Sequence, residues 1–171
     1  MKILNIHGYM GSAENSACSV LKKAGYDVIS LQLDYDAVSP YNILDMLVRQ
    51  ISDNNITHIV GTSLGGFFGA VLSAELDVPV ILVNPCLMPF VYLPRLGFKS
   101  DIMPYIEMFG KISDLKNKNI STIIGEQDEV IDSHDFTRNL LENSRFRSVP
   151  DGKHSGATLP LESYFREVLS G

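Results

Sequence analysis

Long apolar runs are missing from this 171-residue chain. No stretch approaches the roughly 20 apolar residues that a membrane-spanning helix needs. In the opening MKILNIHG the apolar run is too short for the apolar core of a signal peptide, and a His-Gly pair of the kind found at functional turns follows it at once. A soluble, cytoplasmic protein is therefore expected. Cysteine is scarce: Cys18 and Cys86 fit neither a disulfide framework nor a metal-ligand spacing, and free thiols suit a reducing compartment. Basic runs are lacking too, none being longer than Lys22-Lys23, and the formal net charge is −6. Nucleic acid and anionic membrane are accordingly not expected as partners. Nothing in the chain calls for a cofactor or a metal, and there is no internal repeat or low-complexity tract.

What the chain does contain is an alternation. Short runs rich in Ile, Leu and Val occur at 3–6, 28–33, 58–60, 80–83, 122–124 and 147–149. Most are continuously apolar, as strands buried on both faces of a parallel sheet are. Amphipathic stretches at 12–24, 40–53, 64–75, 135–143 and 161–169 separate them, the first stopped by Gly25. Strand–helix alternation of this kind predicts an α/β fold, with residues 1–171 as one domain. The segment 84–119 breaks the rhythm, carrying Pro85, Pro89, Pro94 and Pro104 among many apolar residues. Two compatible readings are a broken helix packed over the sheet and a reduced, lid-like insertion that walls an apolar pocket.

Within THIVGTSLGG, Gly61 to Gly65 match G-x-S-x-G. The match alone is weak, but it follows a strand pattern and opens a helix pattern rich in small residues. That is the setting in which a serine is presented on a strained strand-to-helix turn. A serine hydroxyl needs a base to take its proton. Of the four histidines, His7 and His154 fall at carboxyl ends of strands, where chemistry gathers in open α/β sheets, and His58 does not. His154, in PDGKHSG, also comes last in chain order, so it is the candidate base. His7 is read as ordering its loop, and His134 as lying in a helix start capped by DSHD.

The base needs a carboxylate, and GEQDEVIDSHD offers several. Asp132 is accounted for as a helix cap, and Glu126 and Glu129 as solvated loop charges. Asp128 has no such duty and is the candidate acid. For an oxyanion hole, the Leu64 backbone N–H is one donor, and the loop HGYMGS supplies the other, from Tyr9 with Met10 as the alternative. Ser12 reads as the cap of the first helix.

From ILNIHGYMGS through GTSLGG and VNP to GEQDEVID and GKHS, the chain resembles the α/β-hydrolases, specifically the small bacterial esterases of the YqiA/YcfP-like group. The resemblance implies Ser63 as nucleophile, Asp128 as acid and His154 as base, with Tyr9 and Leu64 as oxyanion donors. It also implies a minimal six-stranded sheet of local order 2-1-3-4-5-6, all parallel, and activity on small acyl esters. Tyr9, Met10 and Thr62 depart from the group's pattern where they would touch the pocket. The same triad would serve a thioesterase or acyltransferase, and the fold alone would serve a binding module without turnover.

Overall fold

The computed structural model describes residues 1–170. Six strands, β1 (Lys2–Ile6), β2 (Asp27–Ser30), β3 (His58–Thr62), β4 (Val80–Val83), β5 (Ile120–Gly125) and β6 (Arg145–Val149), form one sheet in the order β2-β1-β3-β4-β5-β6. Every neighbouring pair is parallel, which is the order and sense expected. The helices are α1 (Ser16–Lys23), α2 (Pro40–Asn54), α3 (Leu64–Leu76), α4 (Pro89–Tyr92), α5 (Met103–Phe109), α6 (Asp135–Leu140) and α7 (Leu161–Leu169). Among the described residues, no helix is long and apolar enough to cross a membrane.

The continuous apolar strands are explained by two cores. Successive side chains of a strand point to opposite faces. Leu4, Ile6, Ile59 and Leu82 thus join α2, α3 and α5 on one face, while Ile3, Val60, Ile81 and Val83 join α1 and α7 on the other. Helix α3 is buried from Leu64 to Ser73, which is why its pattern is apolar all round rather than on one stripe. Phe67 and Phe68 sit at its centre against Tyr35 and Tyr105, each such burial contributing about 1.5–3 kcal/mol.

Residues 84–119 are built from α4, α5 and three short 3-10 turns. Pro89 and Pro104 stand in first turns, where a missing N–H costs nothing. Leu87, Leu93, Phe98, Tyr105, Met108 and Ile112 of this segment are buried in the α3-side core.

Three local expectations are corrected. Helix α1 starts at Ser16, and its cap is Asn15, whose side chain accepts from the Cys18 N–H at 2.9 Å. Ser12 accepts instead from Glu14 N–H, because residues 12–14 are drawn to the strand β2 side: Ala13 N–H donates to Gln32 and Ala13 C=O accepts from Ser30. Strand β2 ends at Ser30 because the following backbone turns to His7, Leu33 N–H donating to its Nε2 at 2.9 Å. Helix α6 stops at Leu140, three residues early. Gly25 does stop α1, at φ 87°, with Gly25 and Tyr26 N–H closing onto Lys22 and Leu21.

Candidate active site

Ser63 stands between β3 and α3 at φ 52°, ψ −119°, a region that costs a side-chain-bearing residue about 1–3 kcal/mol. The strain is held by a bond from Ser63 N–H to Val83 C=O, and by Cys86 and Gly66 N–H donating to Ser63 C=O. The surrounding glycines are demanded by close approach. A Cβ on Gly61 would lie 2.4 Å from the Gly65 carbonyl oxygen, and one on Gly65 would lie 2.1 Å from that of Ile6. Helix, elbow and the end of β1 meet at a distance only hydrogen permits.

His154 reaches Ser63 from the loop after β6. Its Nε2 lies 3.1 Å from Ser63 Oγ, and its Nδ1 lies 3.0 and 2.9 Å from Asp128 Oδ1 and Oδ2. Because an ionised carboxylate only accepts, Nδ1 carries the proton and Nε2 is left to accept from the hydroxyl. The loop is stapled by Asn84, at the end of β4: its Nδ2 donates to Lys153 and His154 C=O at 2.8 and 2.9 Å, and its Oδ1 accepts from Gly125 N–H. Glu129 is no free loop charge, since it accepts from His154 N–H at 3.2 Å.

Asp128 is buried beyond the end of β5. Its Oδ1 accepts from Val130 and Ile131 N–H at 2.9 and 2.8 Å, and its Oδ2 accepts from His134 Nε2 at 3.0 Å. Burial pushes the carboxyl up, but hydrogen bonds from His134 and His154 outweigh it, helped by the His154 charge and the Ile131 amide. The group is held well below the usual carboxylate range. It stays ionised wherever the protein is folded near neutrality. Asp132 is not a helix cap, which is a second correction in this loop. It faces outward, accepting from Tyr92 Oη and pairing with Arg95 at 3.0 Å.

The HGYMGS loop closes the cleft on its other side. His7 Nδ1 donates to Gly8 C=O at 2.7 Å while its Nε2 accepts from Leu33, and Gly11 N–H closes a turn onto Gly8 C=O. Burial lowers the His7 pKa more than the Gly8 carbonyl raises it, so the ring serves as a neutral brace. A Cβ on Gly8 would come within 2.8 Å of Ser63 Cβ, so this loop runs directly beside the serine. Among the described residues, no backbone carbonyl of a turn or loop takes the N–H of Tyr9 or of Leu64. The Tyr9 side chain is held by Asp36 at 3.0 Å and by the Phe98 ring, whereas Met10, at φ 57°, is 81% exposed.

Ser63 and His154 border a cleft of about 230 Å³ with Gly8, Tyr9, Asn15 and Thr62. Ser16 and Gly156 are shared with a neighbouring groove of about 420 Å³ between α1 and α7, lined by Val20, Leu159, Pro160 and Leu161. Among the described residues, no group of His, Cys, Asp and Glu could hold a metal ion.

A serine on the turn after the third of six parallel strands, facing a histidine from the loop after the last, lies in the fold of the α/β-hydrolases. The chain belongs to the uncharacterised protein family UPF0227, whose model matches residues 2–157. A UPF0227 protein of Pectobacterium atrosepticum is 24% identical over 151 residues, which is 82% of each chain. Among solved structures, one of the metagenome-derived lipolytic enzymes LipS and LipT superimposes with a TM-score of 0.70 at 15% identity, over 99% of this chain and 94% of its own. A Pyrococcus furiosus esterase does so with a TM-score of 0.66 at 15% identity, over 99% and 79%.

Proposed function

We propose that the protein is a serine hydrolase of small carboxylic esters, working through an acyl-enzyme. The observation that carries this reading is the unbroken relay from Ser63 Oγ to His154 Nε2 at 3.1 Å and from His154 Nδ1 to Asp128 at 2.9 Å, built on a serine at positive φ. Ser63 Oγ bonds to the ester carbonyl carbon as its proton passes to His154 Nε2. Asp128 holds the ring in the required tautomer and stabilises the imidazolium. The N–H groups of Leu64 and Tyr9 receive the negative oxygen, Leu64 at the N-terminus of α3. The alcohol leaves with the His154 proton, and water then enters by the same route, giving the acid and restoring the serine.

A cleft of about 230 Å³ favours a small acyl group. The two free, buried cysteines support work in a reducing compartment. Replacing Ser63 with Ala removes the bond-forming oxygen and little volume. Hydrolysis of p-nitrophenyl acetate should fall on the order of 10³-fold or more, with the circular dichroism spectrum unchanged. A variant retaining half of the wild-type rate would refute the assignment. A fluorophosphonate that labels wild type but not the variant would separate an enzyme from a binding module.

A further inference from the structure

His134 takes no part in the reaction just described, yet it is bonded to the same carboxylate. Its side chain is 3% exposed, its Nε2 lies 3.0 Å from Asp128 Oδ2, and among the described residues its Nδ1 has no hydrogen-bond partner. Because the ionised carboxylate can only accept, Nε2 must carry the proton. A buried ring with one orphaned nitrogen is unfavourable as packing. A leucine would fill the volume without that defect, so the bond to Asp128 accounts for a histidine here.

The geometry around the carboxylate is two-sided. Val130 and Ile131 N–H hold Oδ1, His134 holds Oδ2, and His154 Nδ1 sits almost equidistant from both oxygens at 3.0 and 2.9 Å. We propose that His134 is a positioning residue for the triad: its Nε2–H fixes the plane of the Asp128 carboxylate and shares its charge, tempering the pull of that carboxylate on His154. This rests on the hydrolase reading above. Without the His134 donor, the carboxylate pivots about Oδ1, so His154 is oriented less well. At the same time more of its charge falls on His154, which favours the imidazolium and makes the base harder to deprotonate.

Other charges near the pair are accounted for. Glu129 meets His154 at its backbone, and Cys86 faces Asp128 as a neutral thiol, pushed up to about 12 by burial and by that charge. Glu126, Asp132, Asp135 and Arg138 border the outer recess beside His134, with Arg138 paired to Glu126 and Asp132 to Arg95. None of them touches the carboxylate.

The test compares His134→Leu with His134→Gln, whose amide can place an N–H where Nε2 stands. The leucine variant should lose about 10-fold in plateau kcat, the low end of what is lost when the residue orienting a metal-ligating histidine is removed. The acid limb of its kcat/KM profile should move up by about half a pH unit. The glutamine variant should restore both. A purely structural role would reduce the folded fraction and leave the limb in place, so an unmoved limb in folded His134→Leu overturns the proposal. So does a glutamine variant as impaired as the leucine one. If the leucine variant does not fold, ¹⁵N NMR of the wild type decides: the His134 proton is expected on Nε2, and a ring protonated on Nδ1 alone overturns the contact. Wild type and Ser63→Ala equally inert toward every ester would instead sink the hydrolase reading, and the positioning role of His134 with it.

Discussion

At Asp128, two imidazoles and two backbone amides converge on one side chain, so its replacement by Asn is more than a loss of charge. Whichever way the amide is turned, its NH₂ meets donors: His134 on one side, Val130 and Ile131 on the other, and His154 on both. Asp128→Asn should therefore lower kcat by up to about 10⁴-fold, the figure found where a triad aspartate is so replaced. Asp132→Asn keeps an acceptor for Tyr92 and loses only an exposed, solvent-screened pair with Arg95. It should leave kcat near wild type. Steady-state rates of both variants, with circular dichroism as a check on folding, make the comparison; an inactive Asp132 variant would mean that the acid has been misplaced. Ser63, His154 and Asp128 were legible as candidates because glycine spacing, placement at strand ends and order along the chain are all read directly from the sequence. His134 was legible only as part of a helix start, since its partner lies six residues back across a turn that periodicity does not describe. Asn84 carried no signal of its purpose beyond standing at a strand end before a proline. Its three bonds reach residues 41 to 70 positions away.

The elements themselves were written in the hydrophobic pattern. Strands covered on both faces must be apolar throughout, and α3, enclosed between the sheet and the cover formed by α2, Tyr105 of α5 and the 3-10 turn Gly110–Asp114, must be apolar all round. Where boundaries slipped, long-range bonds had overruled local preference. Ser12 and Asn15 are both good caps, and the contacts of Ala13 with Ser30 and Gln32 decide between them. The fate of the apolar residues in 84–119 could not be read either, since a core residue and a pocket wall have the same composition. The glycines of the elbow give a sharper test of element packing. Gly65→Ala puts a methyl group 2.1 Å from the Ile6 carbonyl oxygen, so α3 must shift off β1. The expected loss is about 3 kcal/mol, or a Tm lower by about 6–12 °C for a chain of this size. Gly110→Ala meets nothing within 4 Å at φ −56° and should stabilise by about 0.4–1 kcal/mol through the unfolded chain. Thermal melts of the two variants should move in opposite directions, and a Gly65 variant that melts with the wild type would refute the close-packing account.

For the molecule as a whole, every strand pairing is parallel, so none can form as a simple hairpin and each requires a crossover. Such topologies are slow to assemble because loop closure is paid before contact is made. Ser63 and the proposed base, His154, are 91 residues apart in the chain, and His154 is carried by the loop after β6, the strand at the edge of the sheet beside β5. β3 and β4, with α3 between them, form the middle of the sheet and have the most to bury early. On dilution from urea, the far-UV signal should therefore return ahead of esterase activity; a single shared rate constant for both would show that the edge and the centre assemble together. The same geometry sets an order in time during synthesis. On the proposed mechanism, a growing chain can complete most of its sheet while Ser63 still lacks its base, and hydrolysis can begin only once the ribosome has released residue 154.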